Sequence, residues 1–465
     1  GEGREQMELY GMECSLRHRP VLDPDFYPIL RYNRAFLTTA DKPVSVAVER
    51  TDGQVAAYHT FIHGTKERYA ADCYYINRLV KTMLWMKGGN RIHISGDEGI
   101  YRYLCETFSA SGQQAFDSRF MAGVFGQDVT VCFTDCVPET RTDAKAIGGH
   151  LEGCRIGFDA GGSDRKVSAV IDGETVYSEE VVWFPKTHSD PDYHYDGIVA
   201  ALRSAAKHLP RVDAVGVSSA GIYIQDQTMS ASLFVKVPKE LFEQKVKDIY
   251  IRAVRDCFGP IPMCVINDGD VTALAGADAH GAGNVLGIAM GTSEAVGFVD
   301  AEGRITGWLN ELAFVPVDVN PQAGRDAWSG DIGCGVQYFS QDGVIKLAPR
   351  AGIELPQSLS PAEKLKTVQR LMEQGDARAA DIYRSLGVYL GHTLAYYYEL
   401  YGYRYVLLLG RVMSGPGGDI ILDKARLVLG DEYPELDGKI ELRLPDDRFR
   451  RVGQSMAAAG LPALG

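Results

Sequence analysis

Two Asp-Gly turns constrain this chain more than any other feature. Asp52-Gly53 joins the alternating run 44–50 (Val-Ser-Val-Ala-Val-Glu-Arg) to residues 54–62, and Asp172-Gly173 joins residues 166–171 to 174–182. Strand side chains alternate between two faces and Asp-Gly suits a tight hairpin turn, so each stretch predicts an antiparallel ribbon. A helix and a further strand follow each time. In the first case Tyr75, Leu79, Met83 and Leu84 mark a helix over 69–87, ahead of a strand at 91–95; in the second, Asp196 is expected to cap a helix reaching His208, ahead of a strand at 212–219. An isolated ribbon is marginal in water, so helices must cover both, which places the chain in the α/β class.

The shared order suggests an internal repeat, with residues 44–96 expected to superpose strand for strand on 155–219. Residues 113–150, rich in Gly, Gln, Thr, Asp and Pro, read as a boundary. Beyond 221 the alternation continues: helix 239–258, strand 263–266, helix 268–279, strands 284–290 and 295–300, helices 362–373 and 377–401, strand 405–409 and a closing helix within 447–460.

Charge and cysteine usage narrow the function. Lys and Arg number 48 against 61 Asp and Glu, a net charge of −13 that repels nucleic-acid phosphates and anionic lipid alike. No apolar run approaches bilayer length, and charges interrupt the first 20 residues where a signal peptide needs its apolar stretch. Nine scattered cysteines without a CxxC pair suit a reducing compartment. The expectation is a cytoplasmic protein with no nucleic-acid or membrane partner.

Three short segments could carry chemistry. Asp159-Ala-Gly-Gly-Ser163 ends an apolar strand, and two glycines let backbone N–H groups approach an anion closely. Gly291-Thr292-Ser293 lies between two strands and offers a glycine with two hydroxyls. Each also reads as an ordinary hairpin turn. Asn267-Asp268 stands where a strand meets a helix, so Asp268 is either a general base at a strand end or an N-cap.

Their order and spacing carry more than each motif alone. Asp-x-Gly-Gly-Ser, Asn-Asp about 105 residues on, and Gly-Thr-Ser about 25 further resemble the ROK family of sugar kinases and regulators, within the actin/hexokinase-like superfamily. The resemblance spans residues 153–460, where Trp308-Leu-Asn-Glu311-Leu-Ala is similar to the family's sugar-binding Gly-Glu-Leu-Gly-His. It implies two actin-like (ribonuclease-H-like) lobes around a central nucleotide cleft, residues 151–266 with the closing helix 447–460 and residues 267–446. Residues 1–150 would be an extra α/β domain, a degenerate copy of the first lobe, covering the lobes or building a homo-oligomer interface.

The same resemblance implies ATP-dependent phosphorylation of a sugar or amino sugar, with ATP and Mg²⁺ as cofactors. Asp268 would take the proton from the sugar hydroxyl, and Asn267 and Glu311 would bind sugar hydroxyls. Asp159 would place Mg²⁺ through water; Gly161, Gly162, Ser163, Gly291 and Thr292 would cradle phosphates; Gly410, Ser414 and Gly415 would border the nucleotide. Departures are equally specific. Ala313-Phe314 replaces Gly-His, one cysteine (Cys334) remains of the zinc loop, Val336 stands where many members have a sugar-binding Glu, and Ser293 replaces a glycine. No zinc site is therefore expected, and a non-catalytic ligand-binding pseudokinase is the alternative reading.

Overall fold

Both Asp-Gly turns close antiparallel hairpins in the computed structural model, which describes residues 6–446 and 453–465. The first elements are β1 (Met7–Leu9), β2 (Met12–Cys14), α1 (Ile29–Thr39), β3 (Lys42–Glu49), β4 (Val55–Ile62), α2 (Tyr69–Met86), β5 (Arg91–Ser95), α3 (Glu98–Thr107), α4 (Ala115–Phe125) and β6 (Thr130–Phe133). Next come β7 (Cys154–Ala160), β8 (Asp164–Ile171), β9 (Glu174–Val182), α5 (Pro191–Ala206), β10 (Ala214–Ser219), β11 (Ile222–Ile224), β12 (Gln227–Ser230), α6 (Lys239–Leu241), α7 (Ile249–Phe258), β13 (Met263–Asn267) and α8 (Asp268–His280). The chain continues through β14 (Val285–Met290), β15 (Glu294–Val299), α9 (Gln341–Leu347), α10 (Pro361–Glu373), α11 (Ala377–Tyr401), β16 (Tyr405–Leu409), α12 (Pro416–Glu432), β17 (Glu441–Arg443) and α13 (Gln454–Ala459).

Two units emerge: Gly1–Asp143 with Ile288–Val296 and Trp308–Leu444, and Ala144–Gly287 with Gly297–Gly307 and Pro445–Gly465. In the first, β4-β3-β5-β6 form one sheet. Helix α2 is buried along most of its length. In the second, the sheet order is β13-β10-β7-β8-β9. Here β7, β10 and β13 run parallel, and β8 and β9 continue antiparallel from β7. The core collects Ile156, Phe158, Leu202, Val217 and Tyr250 among others. Gly157 on β7 and Gly216 on β10 let α13 lie flush on the sheet, because a Cβ at either would run into the Ser455 or Ala458 carbonyl. The remaining large sheet has the order β15-β14-β16-β17.

Several expectations are corrected. The two ribbons share element order, but β5 pairs antiparallel with β3 whereas β10 pairs parallel with β7. Residues 44–96 therefore cannot superpose strand for strand on 155–219, and the first ribbon is not a copy of the second in that sense. Helix α5 is capped by Asp190, whose carboxylate accepts from Asp192 N, with Pro191 at the first turn; Asp196 lies inside the helix. The stretch 239–258 is interrupted by a π-helical turn at Phe242–Val246 instead of forming one helix. Helix α4 occupies the stretch read as a boundary. Of the closing helix only Gln454–Ala459 is described; residues 447–452 lie outside the described residues.

Candidate functional site

In the second unit the parallel strands deliver their C-terminal residues together. Asp159 is in register with Ser218, and Ser219 with Asn267. Burial pushes the Asp159 carboxyl up to about 7, the charge of Asp268 adds to this, and Lys166 and a hydrogen bond with Ser218 partly offset it. Burial likewise raises Asp268, whose carboxylate accepts from Gly269 N at 2.9 Å. Asp268 is the first helical residue of α8, and the cap is Asn267: its Oδ1 accepts from Gly269 N at 2.8 Å and its Nδ2 donates to the Gly221 carbonyl at 2.6 Å. The capping role offered by the sequence thus falls to Asn267, with the Asp268 carboxylate accepting from the same Gly269 N–H.

Gly161, Gly162 and Ser163 turn from β7 into β8. Gly161 N donates to Asp164 O at 3.0 Å, and Trp183 Nε1 donates to Gly161 O at 2.8 Å. The Lys186 side chain lies over Gly162, where a Cβ would sit 3.0 Å from its ammonium. Gln454 ties the second unit's pieces together: its Nε2 donates to Ser218 Oγ at 3.0 Å and to Asp268 O at 2.8 Å, while its Oε1 accepts from Thr272 Oγ1. Sequence reading missed Lys166, Lys186, Ser218 and Gln454; only the alternation of β8, which sets Lys166 opposite Asp159, could have pointed to one of them.

In the first unit, Gly291, Thr292 and Ser293 turn from β14 into β15. Arg411 donates to Thr292 Oγ1 at 2.7 Å, and Gln341 N donates to Gly291 O at 2.8 Å. Gly410 sits at φ 99°, where a Cβ would collide with the Met290 backbone. Ser414 and Gly415 are exposed at the start of α12. The Glu311 backbone N–H donates to Trp85 O at 3.0 Å and that of Asn310 to Met86 O at 2.8 Å, so the end of α2 holds this loop. Below it, Glu294 is buried and pushed up to about 8, with the Tyr397 hydroxyl opposing the shift and the charge of Glu311 adding to it.

The loop carrying Cys334 is held by ion pairs. Asp331 accepts from Arg78 Nη2 at 3.0 Å, Lys81 Nζ at 2.7 Å and Gln114 Nε2 at 3.1 Å. Lys81 also lies 3.2 Å from Asp117, which accepts from Trp85 Nε1 at 2.6 Å. Phe314 packs between Trp85 and Trp328, with ring centroids 4.6 and 5.8 Å away. Burial pushes the Cys334 thiol up to about 12, which opposes the thiolate a metal would need. Val336 is half-buried beside it. Among the described residues no helix is long and apolar enough to cross a membrane.

Two carboxylates thus stand at the ends of parallel strands, one of them beside a glycine turn. A family model for the ROK family matches residues 155–417, more than half of the 465-residue chain, and the chain belongs to that family. No curated protein matches it. Among solved structures, a ROK glucokinase from Streptomyces griseus with glucose and AMPPNP is 21% identical with a TM-score of 0.50, covering 66% of this chain and 98% of its own. A ROK hexokinase from Thermus thermophilus is 18% identical with a TM-score of 0.51, covering 66% and 97%. A ROK transcriptional regulator, a homologue of the E. coli MLC protein, is 17% identical with a TM-score of 0.54, covering 78% and 87%. The likeness is one of fold; the family holds both kinases and a regulator.

Proposed function

We propose that the chain phosphorylates a hydroxyl of a sugar or amino sugar at the expense of ATP. The observation that carries this reading is the pair of half-buried carboxylates at the strand ends, Asp159 and Asp268, both raised from the ordinary carboxyl value by desolvation. A general base works best when its proton affinity approaches the operating pH, and burial at the mouth of α8 raises that of Asp268. Asp268 takes the proton of the attacking hydroxyl. Asp159 would hold Mg²⁺ through water; its carboxyl is raised by burial and by the charge of Asp268, with Lys166 only partly offsetting this, and a divalent cation would favour its charged form. The metal supplies charge neutralisation on the phosphates. Gly161, Gly162, Ser163, Gly291 and Thr292 take the phosphate contacts, Gly410, Ser414 and Gly415 the nucleotide, and Asn267 and Glu311 the sugar hydroxyls.

Phe314 favours a second reading. Packed against Trp85 and Trp328, it fills the position where the family pattern has a polar ligand, which suits a protein that binds a sugar or nucleotide without turning it over. A panel of sugars and amino sugars assayed for nucleotide turnover separates the two. In the kinase reading Asp268→Asn retains fold and nucleotide binding and lowers turnover by about 100-fold or more. Near-normal turnover in this variant excludes Asp268 as the base, since the helix cap on Asn267 is untouched by the change.

A further inference from the structure

Lys186 stands over the glycine turn that follows β7. A Cβ built on Gly162 would lie 2.9 Å from its Cε and 3.0 Å from its ammonium, so the lysine occupies the space that a side chain on the turn would take. The segment carrying it is fixed from both sides. Trp183 grips the turn, its indole N–H donating to the Gly161 carbonyl at 2.8 Å and its backbone N–H to the Ser163 carbonyl at 3.2 Å. Phe184 N donates to the Tyr193 hydroxyl at 2.9 Å, and fully buried His194 donates from Nε2 to the Pro185 carbonyl at 2.8 Å. Both of these partners lie on α5, so the residue before Lys186 is anchored to a helix and the one before that to the turn's own clamp.

The surroundings of the turn are acidic. Asp159 precedes it, Asp164 follows it, Glu180 lies within hydrogen-bond reach of Asp164, and the charge of Asp268 acts on Asp159. Lys166 is shared between Asp159 and Glu180, whose ionised forms it favours. Lys186 is uncommitted: among the described residues no carboxylate lies within ion-pair distance of it. The backbone N–H groups of Gly162 and Ser163 likewise meet no acceptor among the described residues. Successive free amides on a glycine turn favour an anion, and an ammonium above the same turn adds to that preference. An anion arriving there meets the carboxylates named above, and Lys186 is the cation free to offset them.

We propose that Lys186 binds the oxygens of the γ-phosphate of ATP, together with the N–H groups of Gly162 and Ser163. The inference rests on the nucleotide-binding part of the function proposed above and adds a residue to it. Its placement follows from position. The turn adjoins Asp159, whose carboxyl feels the charge of Asp268, and Asp268 is the group assigned to the acceptor hydroxyl. A phosphate held beside those two carboxylates is the one that faces the acceptor, which makes it the outermost. Phosphoryl transfer breaks the bond from the γ-phosphorus to the oxygen that leaves with ADP and forms one to the acceptor oxygen, and an ammonium on the remaining oxygens counters their charge throughout. A lysine does this as a point charge on a flexible stem, without the fixed fork of an arginine.

The test is calorimetric titration of the intact protein with ATP and, separately, with ADP, each in the presence of Mg²⁺. Lys186→Met is expected to weaken ATP about tenfold or more and ADP by less than about twofold, while Lys186→Arg retains most of the ATP affinity. Lys207→Met, which removes the same charge from an exposed position just after α5, should leave both affinities unchanged. Lys186 is exposed, so its loss should not move the melting curve without ligand. Wild-type binding of ATP that Lys186→Met leaves intact overturns the proposal while nucleotide binding stands. An equal loss of ATP and ADP overturns the placement on the γ-phosphate, and an equal loss in Lys207→Met overturns the contact in favour of net charge. No ATP binding by the wild-type protein overturns this proposal and the function it rests on together. Because the readout is binding, a chain that holds ATP without turning it over tests Lys186 equally well.

Discussion

Replacing Asp331 with Asn should destabilise the first unit more than almost any other single charge removal. Lys81 is fully buried, Arg78 is 7% exposed and Asp331 13% exposed, so all three charges lie in a poorly solvating interior. Burial opposes ionisation of Asp331, but Arg78 and Lys81 outweigh it and hold the carboxyl well below the usual range. Removing one partner of such a cluster leaves buried cations uncompensated at about 3–5 kcal/mol, with Asp117 offsetting part. Differential scanning calorimetry should show the transition of this unit lowered by about 5–10 °C. The native pKa lies below the unfolded value, so the contribution is present above about pH 4 and is lost only as pH falls through the native pKa. Adding Lys81→Met to Asp331→Asn should recover part of the loss, since the stranded ammonium goes with it. A shift under about 1 °C for Asp331→Asn, or an additive loss in the double variant, would refute the view that this cage holds the Cys334 loop.

Asp159→Asn should raise the melting temperature of the ligand-free protein at pH 8 and leave it nearly unchanged at pH 4, while abolishing turnover. The native pKa of about 7 stands above the unfolded value, so the folded state is penalised increasingly from about pH 4 to 7; an equal effect at both pH values would contradict this. Cys334 should resist alkylation in the native protein while exposed Cys136 reacts, as mass spectrometry would show. Elemental analysis should find no zinc, and a stoichiometric amount lost on Cys334→Ser would mean the loop recruits ligands from elsewhere. Gly410→Ala should weaken nucleotide binding, because a Cβ at φ 99° must displace the Met290 backbone; unchanged binding would remove Gly410 from the nucleotide site.

What the sequence by itself determined is local. Alternation and two Asp-Gly turns placed both hairpins, helical spacing placed α2, α10 and α11 almost to the residue, and the glycine pair after Asp159 and the Asn267-Asp268 step marked the ends of two parallel strands. These signals lie within a few residues of one another, so backbone preferences and side-chain periodicity suffice to read them. Tertiary structure decided the rest. Strand order was legible, yet whether β5 runs with or against β3 depends on how the chain returns across the sheet, which periodicity does not encode. Asn267 rather than Asp268 became the cap because the carbonyl of Gly221 and the N–H of Gly269 both lie within its reach. Arg78 and Lys81 meet Asp331 across 253 and 250 residues of sequence, and Gln454 meets Asp268 across 186. A charge on a helix reads as solvated until folding brings the partner that makes its burial tolerable, and that partner is chosen by packing, not by spacing.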